Sequence, residues 1–160
     1  MAQPTRRRTV VRIVLAALAI LLVAAGLIAW SSRSTIELHF GQLALDELEF
    51  HEADEWARSV LDREPGRPEG ILLAARAAVG LRDTRRALDL FEQYPDDSSP
   101  AWNSARIEAG DLLIDRYHHM SAAEAQFRRV LRREPLHRLA NDRLAYLLSI
   151  ASRRWEAITP

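Results

Sequence analysis

Two hydrophobic patterns divide the chain. From Ile13 to Trp30 the apolar residues run unbroken: IVLAALAILLVAAGLIAW holds no charge, and ten of its 18 residues are Leu, Ile or Val. From residue 34 onward, apolar residues recur at three- and four-residue spacing, the period of a helix with one buried face. The periodic stretches are 36–48, 70–81, 105–117 and 138–150, alternating with 49–65, 81–95 and 120–135. They predict an all-α domain built of short helix pairs.

The second set of stretches shares a phase. Ala53, Ala87 and Ala123 fall in the first turn of each, 34 and 36 residues apart, and Ala157 lies 34 further on. The stretches EFHEADEWARSVLDREP and MSAAEAQFRRVLRREP both end in Glu-Pro with a Leu four residues before the Pro. In the first set a small residue recurs: Gly41, Ala75, Gly110 and Ala145. Small residues suit the place where two helices cross, because a larger side chain would hold the backbones apart. Phe91 and Phe127, four positions after their alanines, fill the space between units; the first unit has Ala57 there, beside Trp56.

Helix boundaries follow from local chemistry. Pro65 and Pro135 stop the second helices. Ser34-Thr-Ile-Glu37 and Ser121-Ala-Ala-Glu124 read as capping boxes, and Ser99-Pro100 places Pro at a first helical position after the loop DDSSP. Tyr94-Pro95 ends the second unit about one turn early, and Gly110-Asp111 shifts the crossing in the third.

This four-fold pattern resembles the tetratricopeptide repeat, whose signature pairs a large residue, a Leu and a Gly or Ala in the first helix with Ala, a bulky residue and Pro in the second. The matching residues are Phe40, Gly41, Ala53, Val60 and Pro65; Ile71, Ala74, Ala75, Ala78, Ala87, Phe91 and Tyr94; Ile107, Ala123, Phe127, Val130 and Pro135; and Leu144, Ala145, Leu148 and Ala157. With the apolar run read as an N-terminal transmembrane helix, the resemblance implies that it is followed by a right-handed solenoid of about three and a half helix hairpins, with units at 34–67, 68–99, 100–137 and an incomplete 138–160. Ala157 then opens an eighth helix, the chain reads as cut within its fourth repeat, and the apolar face at 141–150 is left uncovered.

Charge sharpens the reading of the N-terminus. Residues 1–30 carry Arg6, Arg7, Arg8 and Arg12 and no acid, whereas the remaining residues carry 18 arginines against 22 acids. As a helix the apolar run spans roughly 27 Å, enough to cross a bilayer core of about 30 Å. Its large aliphatics favour insertion by roughly 3 to 6 kcal/mol, and arginines on one side hold that side in the cytoplasm. The expected organisation is a basic cytoplasmic segment at 1–12, a signal-anchor helix at 13–30, a short linker at 31–34 and the repeat domain at 35–160. That places the chain in the inner (cytoplasmic) membrane as a single-pass protein, its repeat domain in the periplasm or outside. A cleaved signal peptide, leaving a secreted repeat domain, is the alternative; the twin-arginine match of RRTVVR is loose. All 22 basic residues are arginine, the usage of a GC-rich bacterial genome. The mildly acidic domain is a poor nucleic-acid binder.

No motif points to catalysis. There is no cysteine, so thiolate and disulfide chemistry are excluded. HEADE at 51–55 lacks the second His of a zinc-protease helix; His118-His119 reads as a turn near a helix end. The remaining histidines, His39 and His137, stand apart. GRPEG at 66–70 is a linker, and RRVLRREP at 128–135 is a solvated basic face. No cofactor or metal is expected.

The tetratricopeptide resemblance implies a non-catalytic scaffold that binds a protein or peptide partner on its concave side. The implied lining is Leu38, Gln42 and Asp46; Glu69, Leu72 and Arg76; Glu108, Leu112 and Asp115; and Asp142 and Tyr146. The family's carboxylate clamp needs Lys/Arg and Asn where Leu38 and Gln42 stand, so that mode of binding is not expected. The rival is that residues 1–160 are the anchor-and-repeat portion of a larger protein whose further domain carries the activity.

Overall fold

The computed structural model describes Leu18, Leu21, residues 33–97 and residues 99–158, the last eight by backbone alone. Every regular element among the described residues is an α-helix. We label them α1 (33–46), α2 (Phe50–Arg63), α3 (Pro68–Gly80), α4 (Thr84–Gln93), α5 (Pro100–Tyr117), α6 (Met120–Arg133) and α7 (Arg138–Ile158). They form three antiparallel pairs stacked side by side, with α7 packed on α6 and α5. The run 13–30 lies outside the described residues apart from Leu18 and Leu21. Among the described residues no helix is long and apolar enough to cross a membrane.

The second helices repeat one design. Each marker alanine is the fourth residue of its helix, and its N–H donates to the residue just before that helix at 3.0 Å: Ala53 to Glu49, Ala87 to Asp83, Ala123 to His119. The apolar residues at that position and four and seven further on point inward: Ala53, Ala57 and Val60; Ala87, Phe91 and Tyr94; Ala123, Phe127 and Val130 are all buried. α2 and α6 each have 14 residues and stop at Glu64 and Glu134, directly before Pro65 and Pro135. α4 has ten, one turn fewer, because Pro95 cannot continue it. Ser99 accepts from the Trp102 N–H at 3.1 Å and Pro100 begins α5, a cap-and-proline start.

The turn within each pair is built on one left-handed residue: Leu48 (φ 64°), Arg82 (φ 62°) and His118 (φ 54°). The N–H groups of Glu49 and Asp83 return to Ala44 and Ala78, five residues back, at 2.8 and 2.9 Å, which caps the first helix. His119 reaches one residue further, to Leu113, so the third turn is wider.

Small residues sit at the crossings. A Cβ on Gly41 would lie 2.4 Å from Leu73 Cδ2, and one on Gly110 would lie 2.4 Å from Phe127 Cε1. Ala75 is buried at the matching place. Adjacent units are also tied by ion pairs one repeat apart. Between second helices, Asp54 holds Arg86 and Glu92 holds Arg129; between first helices, Arg76 holds Glu108 and Asp111 holds Arg143. The basic stretch after Phe127 is therefore not only a solvated face: Arg129 and Arg133 reach back to Glu92 and Asp96, and Arg133 lies 3.8 Å over the Trp102 ring.

Four expectations are corrected. Arg33 and Ser34 are already helical, so the linker does not extend to residue 34 and Ser34 is no cap. Arg33 and Arg63 engage the Glu37 carboxylate instead. Ser121 is the second residue of α6, whose N-cap is His119; Glu124 pairs with Arg128 one turn on. α7 runs 21 residues without a turn, so Ala157 opens no eighth helix. Ala151, Arg153, Arg154, Glu156 and Ala157 favour helix, and no turn chemistry interrupts them. Ala145, expected at a crossing, is exposed, because among the described residues no second helix folds back over it; the face at 141–150 is largely open, as expected. Leu139, Tyr146 and Leu148 are open as well, while Ala140 and Leu147 are buried against the preceding unit.

Candidate partner-binding groove

The first helices of neighbouring units lie side by side, and the cleft between α3 and α5 is the most built part of that surface. It holds about 260 Å³ and is lined by Arg76, Val79, Glu108, Asp111, Leu112 and Asp115. The Arg76 guanidinium donates to both Glu108 oxygens, from Nε at 3.2 and 3.1 Å and from Nη2 at 2.6 Å. This two-point contact fixes both planes. On the far side Arg143 Nε of α7 donates to Asp111 Oδ2 at 2.9 Å.

The hydrogen bond to Glu108 holds the Arg76 pKa above its ordinary value despite partial burial. Asp111 is shifted upward, first by burial; Arg143 opposes this, while Asp115 and Glu108 add to it as like charges. The folded chain therefore binds more proton at Asp111 than the unfolded chain between the ordinary and the raised pKa. Stability falls as pH rises through that interval and stays lower above it. Asp111→Asn is expected to flatten this decline, read from urea midpoints across the acid-to-neutral range; an unchanged pH profile would show that Asp111 does not cause it.

The structure brings together four of the eleven expected lining residues: Arg76, Glu108, Leu112 and Asp115. Leu112 lines the cleft and is buried in the core as well. Leu38 and Leu72 are half-buried, packed against core clusters. Gln42 donates to Asp46 along α1 at 3.0 Å, Glu69 is paired with Arg67 at 3.3 Å, Asp142 lies 3.9 Å from Arg138, and the Tyr146 ring is open. Val79, Asp111 and Arg143 were missed. Asp111 was findable: 34 residues take Gln42 to Arg76, 35 take Arg76 to Asp111 and 35 take Asp111 to Tyr146, the spacing of the small residues.

No histidine lines the cleft. His137 Nδ1 accepts from the Ala140 N–H at 3.2 Å and caps α7, and His118 and His119 form the α5–α6 turn. Among the described residues no group of three His, Asp or Glu is placed to hold a metal ion.

No protein-family model and no curated protein matches the sequence. Solved structures do match. The first TPR of Spaghetti (RPAP3) bound to the HSP90 peptide SRMEEVD is 17% identical, with a TM-score of 0.66 over 76% of this chain and 95% of that one. The NMR structure of the first TPR domain of human RPAP3 is 18% identical, with a TM-score of 0.65 over 77% and 96%. The fold is a tetratricopeptide-like helical solenoid.

Proposed function

We propose that this chain is a membrane-anchored scaffold that binds a protein or peptide partner along the row of first helices, without catalysing a reaction on it. One observation carries the reading. Gln42, Arg76, Asp111 and Tyr146 occupy one helical register, one residue per unit, and Arg76 and Asp111 line the same open cleft. A solenoid offers such a row to an extended partner. The similar RPAP3 domain bound to an HSP90 peptide supports the choice of a peptide partner.

The chemistry of the row differs from a carboxylate clamp. Leu38 and Gln42 replace the cationic and amide residues such a clamp needs. Asp46, Glu69, Glu108, Asp111, Asp115 and Asp142 outnumber Arg76 and Arg143, so a neutral or cationic segment suits the surface better than an acidic tail. The double variant Asp115→Arg/Tyr146→Ala changes two exposed side chains. It is expected to lose the partner that copurifies with the wild type while its circular dichroism is unchanged; full retention of that partner would contradict the groove.

The anchor belongs to the same proposal. Residues 13–30 span the membrane, residues 1–12 remain in the cytoplasm under the positive-inside bias, and the helical domain lies in the periplasm or outside. Protease added to spheroplasts should remove the domain while the membrane stays sealed. A domain protected until lysis would reverse the topology.

A further inference from the structure

Each first helix after α1 buries one face against the preceding unit. Gly41, Ala75, Gly110 and Ala145 set the correspondence, with spacings of 34, 35 and 35 residues. Ile36 thus corresponds to Gly70, Ala105 and Ala140; Phe40 to Ala74, Ala109 and Leu144; Leu43 to Ala77, Leu112 and Leu147. In the later units all of these are buried except Leu144, which is half-buried. At Gly70 the neighbours are the second helix of the unit before: an added Cβ would meet Leu61 at 3.0 Å and Val60 at 3.1 Å.

On α1 the same three positions carry large apolar side chains, and they stand open: Ile36 is 54% exposed, Phe40 47% and Leu43 47%. A solenoid end that meets only water carries a polar outer face; this one does not. Phe40 stacks on Trp56 of α2 with centroids 5.7 Å apart, which extends the apolar platform onto the second helix. Trp56 also borders an open hollow of about 500 Å³, lined besides by Glu49, His51, Glu52, Glu55 and Ser59. Three carboxylates and no arginine line it. An anionic lipid surface is repelled by such a rim, and an acidic or neutral helix leaves it unpaired.

We propose that this end of the solenoid seats an amphipathic helix of a protein partner, apolar along one face and rich in Arg or Lys beside it. The helix takes the place that α2 takes against α3. Ile36, Phe40 and Leu43 receive its apolar face, and Glu49, Glu52 and Glu55 receive its cations. The surface is separate from the concave row.

The chain has no cysteine, so Leu43→Cys places one spin label on the seat. The full chain is reconstituted in phosphatidylcholine nanodiscs and titrated with a synthetic peptide of residues 120–133. That peptide carries Ala123, Phe127 and Val130 on one face and four arginines against one glutamate. The label is expected to be mobile and water-accessible alone and to be immobilised by the peptide, but not by a scrambled peptide of the same composition. Glu52→Gln/Glu55→Gln, at exposed positions, is expected to weaken binding roughly tenfold, as loss of interfacial charge pairs does. Four results overturn the proposal: equal immobilisation by the scrambled peptide, unchanged affinity in the Gln pair, a label accessible to oxygen as in lipid before peptide is added, or dipolar broadening between two copies of the chain.

Discussion

Phe127→Ala is expected to destabilise the domain by about 3 to 5 kcal/mol, the range for deleting a buried aromatic ring. Small domains are stable by only about 5 to 15 kcal/mol, so much of the molecule would unfold at mild urea concentrations. The ring is fully buried on α6 and lies against Gly110 of α5, where an added Cβ would come within 2.4 Å of it. Gly110 and Phe127 therefore work as one joint. Gly110→Ala alone should cost about 1 to 3 kcal/mol from overpacking, since the ring is walled in. In the Phe127→Ala background the same change should be nearly neutral, because the atoms it collides with are gone. A double-mutant cycle on urea unfolding measures this coupling; additive effects would show that the two residues do not meet.

Asp54→Ala is expected to cost about 2 to 4 kcal/mol, at and just below the range of about 3 to 5 kcal/mol for breaking a fully buried ion pair by removing one partner, because Arg86 keeps some access to water. Asp54 of α2 is only 3% exposed. Its carboxylate accepts from Arg86 of α4 at 2.6 and 3.0 Å, and from Arg58 one turn on. Arg58 turns to water without loss, but Arg86 is half-buried and loses its hydrogen-bonded counter-charge, while the contact joining two units is lost. The pair is held more by mutual satisfaction than by net attraction, so Asp54→Leu/Arg86→Met should recover most of the loss. Thermal unfolding of the three proteins decides this: a double variant no more stable than Asp54→Ala would show that the charges themselves hold the units together.

The repeat was legible because its packing depends on residue size at fixed phase. Ala53, Ala87 and Ala123 mark the fourth residue of their helices, and Pro65, Pro95 and Pro135 mark where those helices stop. The turns at Leu48 and Arg82 left no mark, since both residues adopt the left-handed conformation without glycine; the third was legible at His118-His119. Local chemistry also misled. Ser34 and Ser121 stand three residues before a glutamate, as a cap would, but Glu37 is drawn to Arg33 and Arg63 and Glu124 to Arg128. Ala157 keeps the repeat phase, yet phase alone does not bend a helix. In the groove, Leu112 lines the cleft but follows the register of Ala77 and Leu147, so most of its side chain belongs to the core. The pairs Arg76–Glu108 and Asp111–Arg143 follow from how far one unit turns on the next, which no local pattern records.

The claim that the row of first helices is the binding surface is tested most directly by site-specific photocrosslinking in membranes. A photoreactive side chain placed at Gln42, Asp115 or Tyr146 should give a crosslink to one and the same partner, and one placed at Asp89 or Ala125, exposed on the second helices, should give none. Crosslinks confined to Asp89 and Ala125, or equal at all five positions, would contradict it.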